Sequence, residues 1–501
     1  MWMAVKRGIV VAIGLLIQIL LTLFIYLKFG EFISIIQVVY GLLSIIIVLM
    51  IIKYSKRLSS DLIWILLIML FPLIGTLLYI ILSNNMKRSK VLKNINENIE
   101  NGQKYLIQDE FIKKEIDTKN LGQLKYISEF AGFPVTKNNE INYYSLGDDV
   151  YPVMLEELKK AKKFIFIEYF IINNGTMWQG ILDILKEKAN SGLDVRVLYD
   201  DMGSFAMLPS NYPKLLGKYG IKCMQFNKLS PFAGIIMNNR DHRKMMIIDG
   251  HTVFSGGINI SDEYININSK LGVWKDNGIR IKGEAVWNFT VMFLEMWNSF
   301  KKEDNDYNKY KYNFTEKYKE NVFVVPYGES PLDDVITGED IYLNIINQAK
   351  KYVYIYTPYL IIDTDMINSL ILAARRGVDV RIVVPGIPDK KIVYDLTSSY
   401  FYTLIKGGVK IYTYTNGFVH SKVFLSDDEI ATVGTINLDY RSLYLHFECG
   451  IYMKDTNVIK DIKKDFEDSF KESHKVDERE AKNGLFKGLW QAILRLFAPI
   501  M

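Results

Sequence analysis

Two stretches decide the fold: His242-Arg-Lys-Met-Met-Ile-Ile-Asp249 and His420-Ser-Lys-Val-Phe-Leu-Ser-Asp427. Both read H-x-K-x4-D, they lie 178 residues apart, and each is followed at the same distance by an asparagine, Asn259 and Asn437. With five histidines in 501 residues, background composition predicts on the order of a few hundredths of a match. Chance does not account for two copies in register. Working outward, Ala161-Lys-Lys-Phe-Ile-Phe-Ile-Glu-Tyr-Phe170 pairs with Ala349-Lys-Lys-Tyr-Val-Tyr-Ile-Tyr-Thr-Pro358, and Gly192-Leu-Asp-Val-Arg-Val-Leu198 with Gly377-Val-Asp-Val-Arg-Ile-Val383. Each half reads as an apolar strand, an amphipathic helix (Met177 to Ala189, Met366 to Arg376), a glycine break and a second apolar strand, a βαβ order. The near-continuous Val, Ile and aromatic runs predict strands buried under helices on both faces, in parallel or mixed sheets. The expected fold is α/β, with two similar tandem lobes packed together.

Composition bounds the rest. At 49% hydrophobic and 23% charged residues the chain is no disordered protein. Its net charge of +5 is too small a bias in this length to argue nucleic-acid binding, and none is expected. Two cysteines, Cys223 and Cys449, make neither a disulfide framework nor a zinc site. Apolar runs at about 8–27, 32–52 and 62–82 predict three transmembrane helices in a membrane domain of residues 1–83, and so a multi-pass protein. The lysines and arginines flanking them do not fix an orientation. Residues 84–109 read as a juxtamembrane linker or solvated helix, 110–300 as the first lobe, 301–319 as a polar connector and 320–475 as the second lobe. The closing segment, 476–501, places Leu485, Leu489, Ile493 and Leu496 along one helical face that could lie on a membrane or dock on the protein.

The chemistry is expected where the repeats agree best. In a strand of period two, His242 and Lys244 share a face, as do His420 and Lys422, and no turn requires an imidazole beside an ammonium. Asp249 and Asp427 fit hairpin turns between apolar strands. A site drawn from both copies holds two imidazoles, two ammoniums and two carboxamides. Fixed cations and amide donors stabilise the charge that grows on a phosphodiester in its transition state without needing a metal. One imidazole can attack phosphorus while the other gives a proton to the departing oxygen and takes one from the incoming hydroxyl. Each needs a partner on its second nitrogen, for which Asp276 and Glu448 are candidates. Glu168, a carboxylate in an apolar strand, is a candidate to meet a site lysine or a substrate hydroxyl.

These residues resemble the phospholipase D superfamily, whose mark is the paired HKD motif, over about residues 110 to 475. More narrowly, the chain resembles bacterial cardiolipin synthases. That likeness rests on the apolar N-terminal spans and on Phe166-Ile-Glu-Tyr-Phe170, Tyr199-Asp-Asp-Met-Gly-Ser204, Val273-Trp-Lys-Asp276, Gly434-Thr-Ile-Asn-Leu-Asp-Tyr-Arg-Ser442 and Arg495-Leu-Phe-Ala-Pro-Ile-Met501. The resemblance implies His242 as nucleophile and His420 as acid and base, two roles that could be exchanged. It implies that Lys244, Lys422, Asn259 and Asn437 bind phosphate oxygens, that Asp276 and Glu448 orient the imidazoles, and that Asp249 and Asp427 support the local fold. The reaction so implied is phosphatidyl transfer from one phosphatidylglycerol to another through a phosphohistidine, giving cardiolipin and glycerol at a bacterial cell membrane with no cofactor. The alternatives are a hydrolytic phosphodiesterase and a non-catalytic lipid-binding membrane protein.

Overall fold

The computed structural model describes residues 33–54, 58–72, 74–76, 79, 90–228, 239–315, 317–318, 321–333 and 335–500. The chain divides into two units, residues 1–85 and 86–501.

In the first unit, helix Ile33–Tyr54, with side chains described from Val38, packs on helix Leu58–Leu70 around Ile51, Ile65 and Ile68. Leu42, Ile45 and Leu49 face outward. Among the described residues no helix is long and apolar enough to cross a membrane, so the expected three spans and multi-pass arrangement are not supported. The expected span at 8–27 lies outside the described residues. In the one at 62–82, helix Leu58–Leu70 stops just before Phe71-Pro72, and Pro72, 74–76 and Tyr79 are again helical among the described residues. Proline disfavours helical backbone in the residue preceding it and cannot donate to the ladder.

In the second unit the two halves share one 15-stranded sheet rather than owning two. From one edge the first half contributes Lys222–Phe226, Asp194–Asp200, Phe164–Tyr169, Lys244–Ile248, Thr252–Gly256, Gly278–Gly283 and Thr136–Tyr144. The second half continues with Asn321–Glu329, Glu448–Lys454, Ile430–Gly434, Val423–Ser426, Tyr352–Tyr356, Asp379–Pro385 and Lys410–Tyr414, closed by Ser473–Lys475. Apart from that closing strand, the second order is the first reversed, as a pseudo-twofold axis between Thr136–Tyr144 and Asn321–Glu329 requires. Each half is mixed: Phe164–Tyr169, Asp194–Asp200 and Lys222–Phe226 run parallel in the first, as do Tyr352–Tyr356, Asp379–Pro385 and Lys410–Tyr414 in the second, and the remaining pairings are antiparallel.

One face of the sheet carries a single core running through both halves, built on helices Val286–Phe300 and Val458–Lys471. The first of these is buried from Val286 to Ser299 and takes Asn288, Glu295 and Asn298 into the interior with it. Helix Lys90–Gly102 joins this core through Leu92 and Ile95. The segment read as a linker or solvated helix is therefore packed, because its apolar residues recur at helical spacing. On the other face each half has its own core, under helices Gly147–Lys159 and Thr176–Asn190 in the first and Thr337–Gln348 and Thr364–Arg375 in the second.

The connector is also structured. Asp304 is buried and meets the Arg196 guanidinium at 2.6 Å, while Tyr310 donates to Asp304 at 2.9 Å. Arg196 in turn lies over the rings of Phe166 and Trp297. The C-terminal helix, Leu485–Phe497, packs on helix Lys391–Ser399 through Gln491 and Leu494, not through the predicted apolar face.

Candidate active site

Each motif begins just ahead of a hairpin strand and ends in the hairpin turn. Asp249 and Asp427 take left-handed backbone, φ 52° and 57°, a conformation that Asp tolerates better than most residues. The Asp249 carboxylate accepts from the backbone N–H groups of Lys162, Lys163 and Phe164 at 2.7, 2.7 and 2.9 Å. Asp427 does the same for Lys350, Lys351 and Tyr352 at 2.7, 2.8 and 2.9 Å. Both tie a turn to the start of the neighbouring strand. Seven residues of extended chain, about 23 Å, separate them from the histidines, and neither lines the cavity there. Although they belong to the motif that carries the histidines and lysines, these aspartates stand at a distance from the cavity.

At the other end of the strands both halves meet around one cavity of about 540 Å³. His242, His420, Asn259 and Asn437 line it together. The backbone of each histidine is pinned by the opposite half. His242 N donates to Phe447 O and His420 N to Lys275 O, both at 2.8 Å. The side chains cross over in the same way. Nδ1 of His242 lies 2.8 Å from both Glu448 oxygens, and Nδ1 of His420 lies 2.6 Å from Asp276 Oδ2. A carboxylate can only accept, so Nδ1 of His242 carries the hydrogen and its Nε2 keeps the lone pair, while Nδ1 of His420 lies between Asp276 and, at 2.9 Å, Lys422 Nζ.

The carboxylates are held differently. Thr435 donates to Glu448. At the related position stands Gly257, where a Cβ would come within 2.0 Å of Asp276 Oδ1. Beneath the cavity floor Lys244 Nζ donates to His242 O at 2.7 Å, and Lys422 Nζ donates to the His420 carbonyl. Asn259 is oriented by the Ile171 N–H, which it accepts at 3.1 Å, and by the Tyr264 hydroxyl at 2.7 Å. The rings of Phe170 and Tyr264 stand edge-on to His242 and His420 respectively.

Burial sets the protonation states. It holds His242 well below the ordinary imidazole value, helped by the nearby ammoniums of Lys244 and Lys422. Burial and then Lys422 bring His420 down to about 4, against the pull of Asp276. Burial also lowers Lys244 to about 8 and Lys422 to about 7, and it raises Glu448 above the usual carboxylate range. The resting site thus presents neutral imidazoles beside ammoniums that lose their protons easily, an arrangement that a bound anion would stabilise in its charged form.

Glu168 is not part of this site. It sits in the middle of its strand, opposite Met245, and is absent from the cavity lining. Its neighbours are Arg243, at 3.8 Å, and the carboxyl of Asp241; burial, then Asp241, raises its pKa far above normal. Period two explains the error: the strand is buried on both faces, so an odd polar residue need not face the substrate.

His446 was missed. It lines the cavity, its ring lies 5.6 Å from that of His242, and its Nδ1 is 3.7 Å from Glu448. Its position two residues before Glu448 was the available signal. Donor atoms of His242, His446 and Glu448 lie within 4.8 Å of one another, so this trio could hold a metal ion, although Glu448 already engages His242.

A family model described as "Cardiolipin synthase, PLD-like domain" matches residues 154–297 and 342–470, a stretch of each half that contains its histidine motif. This chain belongs to the phospholipase D-like cardiolipin synthase family. The model "Phospholipase_D-nuclease N-terminal" matches residues 42–84. Cardiolipin synthase 1 of Staphylococcus aureus is 34% identical over 475 residues, 90% of this chain and 93% of that one. An uncharacterized protein of Streptococcus mutans is 43% identical over 442 residues, 87% of this chain and 96% of that one. The crystal structure of phosphatidylserine synthase from Haemophilus influenzae covers 76% of this chain and 98% of its own at a TM-score of 0.56. At 16% identity that likeness is one of fold.

Proposed function

We propose that this family member is a cardiolipin synthase, a phosphatidyltransferase that joins two phosphatidylglycerol molecules and releases glycerol. The observation that carries the reading is the crossed pair of imidazoles. Both line one cavity, and each is oriented by a carboxylate from the other half. The substrate class follows the cardiolipin synthase relatives that match most of the chain. Outward-facing Leu42, Ile45 and Leu49 support a setting at the bacterial membrane.

In this mechanism His242 Nε2 attacks phosphorus of the donor, and the bond from phosphorus to the glycerol oxygen breaks. His420 gives that oxygen a proton, and glycerol leaves a phosphohistidine behind. A terminal hydroxyl of the second phosphatidylglycerol then loses its proton to His420 and attacks phosphorus. The nitrogen–phosphorus bond breaks and cardiolipin departs. His420 is neutral at rest, chiefly through burial, and takes up its acidic proton when the phosphodiester arrives, because the anion offsets the Lys422 and Lys244 charges that add to that burial. Lys244, Lys422, Asn259 and Asn437 hold the equatorial oxygens as negative charge grows. One phosphodiester replaces another, so excluding water decides the product.

The test is incubation of the membrane-reconstituted chain with phosphatidylglycerol vesicles, with cardiolipin, phosphatidic acid and glycerol quantified beside His242→Ala and His420→Ala. Equal cardiolipin and glycerol, lost in both variants, is expected. Phosphatidic acid without cardiolipin would make water the acceptor and the enzyme a hydrolase.

A further inference from the structure

The C-terminal helix is docked the wrong way round for a helix that serves only to cover the protein. At 100° per residue, Gly488, Gln491, Leu494 and Ala498 form one stripe, and this is the stripe turned toward the protein. It is held largely by polar bonds. Gln491 Nε2 donates to Asp395 O at 3.1 Å and to Ser398 Oγ at 3.2 Å, and Arg495 Nε donates to Ser399 Oγ at 2.9 Å. Leu485, Phe486, Leu489, Trp490, Ile493 and Leu496 fall in an arc of about 140° on the opposite side. They are exposed, Leu485 by 84%, Phe486 by 89% and Leu489 by 62%. An amphipathic helix normally buries its apolar side, and contiguous apolar surface of this kind marks an interaction site.

Its position says what covers it. The helix packs on Lys391–Ser399, and Lys390 and Val393, at the start of that support, line the catalytic cavity. Ile387 and Ile392 beside them are exposed as well. Lys487 is exposed on the helix itself, and Lys391 and Lys482 on the segments beside it. A bilayer surface suits such a face, with Trp490 at home at the headgroup level, and it is the one partner that also holds the lipid substrate of the cavity beside the helix.

We infer that the C-terminal helix lies in the surface of an anionic bilayer and seats the mouth of the catalytic cavity on it. This deepens the cardiolipin synthase reading, since the substrate is then drawn directly from that bilayer, and it assigns the segment a role beyond closing the chain.

The test uses the full chain with Cys223→Ser, reconstituted into vesicles of phosphatidylglycerol brominated in its acyl chains. A fluorophore is placed at Leu489→Cys or, as a control, at Glu429→Cys in the hairpin turn remote from the cavity. Quenching at 489 at least twofold greater than at 429 is expected; equal quenching overturns the inference. In parallel, Leu489→Glu with Ile493→Glu is expected to lower turnover of vesicle phosphatidylglycerol about tenfold while leaving water-soluble dibutyryl phosphatidylglycerol unaffected. Equal loss on both substrates would make the helix a support of the site. A dimeric native protein made monomeric by these glutamates would make a second copy the occupant. Both outcomes reject the bilayer. No turnover of either substrate by the native chain would reject the enzyme assignment instead, and quenching would still decide the helix.

Discussion

Each catalytic imidazole sits next to an ammonium whose own proton is loosely held, and this coupling fixes the pH dependence. The free site works when His242 is neutral and the two lysines are charged. The first condition holds above a value well below 6.5, while the second fails as pH rises through about 7 for Lys422 and about 8 for Lys244. The expected kcat/KM is therefore flat through mildly acid pH and falls across neutrality on the alkaline side. Lys422→Arg keeps its charge at any such pH and should shift that falling limb upward, as a pH profile of initial rates would record, at some cost in rate from the changed geometry. A limb unmoved by the substitution would remove Lys422 from phosphate binding. The H-x-K spacing made these residues legible in the sequence. Their protonation states were not, because burial beneath the cavity floor comes from the other half of the chain.

Turns and strands around the site separate support from chemistry. Asp249 holds three backbone N–H groups and a left-handed turn, so Asp249→Ala is expected to cost about 2–4 kcal/mol of stability. Thermal unfolding would measure this, while the folded fraction keeps kcat within a few-fold. At Gly257 the prediction is opposite. A methyl group there meets the Asp276 carboxylate, frees His420 from its partner and should lower kcat about a hundredfold, with unfolding temperature and KM little changed in the same preparations. The connector carries the third case. Asp304→Asn leaves Asp194, at 2.7 Å, as the counterion of the buried Arg196, so the expected cost is about 1–3 kcal/mol, read by thermal unfolding. Asp304 owes its low value, about 2, to hydrogen bonds from Arg196 and Lys309 that outweigh burial. Read as sequence, 301–319 is only a polar run, since a buried ion pair between Arg196 and Asp304 spans too much chain for any local pattern to reveal.

For the whole molecule, the continuous sheet makes the halves interdependent, because Thr136–Tyr144 pairs with Asn321–Glu329 and each histidine takes its carboxylate from across that joint. Two amide substitutions should therefore differ in how far they suppress labelling of the protein. Glu448→Gln disturbs the tautomer of His242 and should suppress formation of the covalent intermediate about 10²- to 10⁴-fold. Asp276→Asn disturbs His420 and should slow proton transfer in both halves of the reaction. Rapid quench with phosphorus-labelled phosphatidylglycerol would measure protein-bound label in each. Comparable suppression of labelling by both would leave the nucleophile unassigned, and loss in Asp276→Asn alone would exchange the two histidines. The sequence by itself determined the duplication, the α/β elements, the paired histidines and lysines and the turn-forming aspartates, all of which are local patterns repeated in register. Only the tertiary structure decided that two sheets are one, that Asp276 serves His420 and Glu448 serves His242, that Glu168 lies outside the cavity and His446 inside it, and that the C-terminal helix turns its apolar side outward. The physical reason is that each of these depends on which surfaces meet across a hundred residues or more of chain, and burial at such a meeting sets both the geometry of a side chain and its charge.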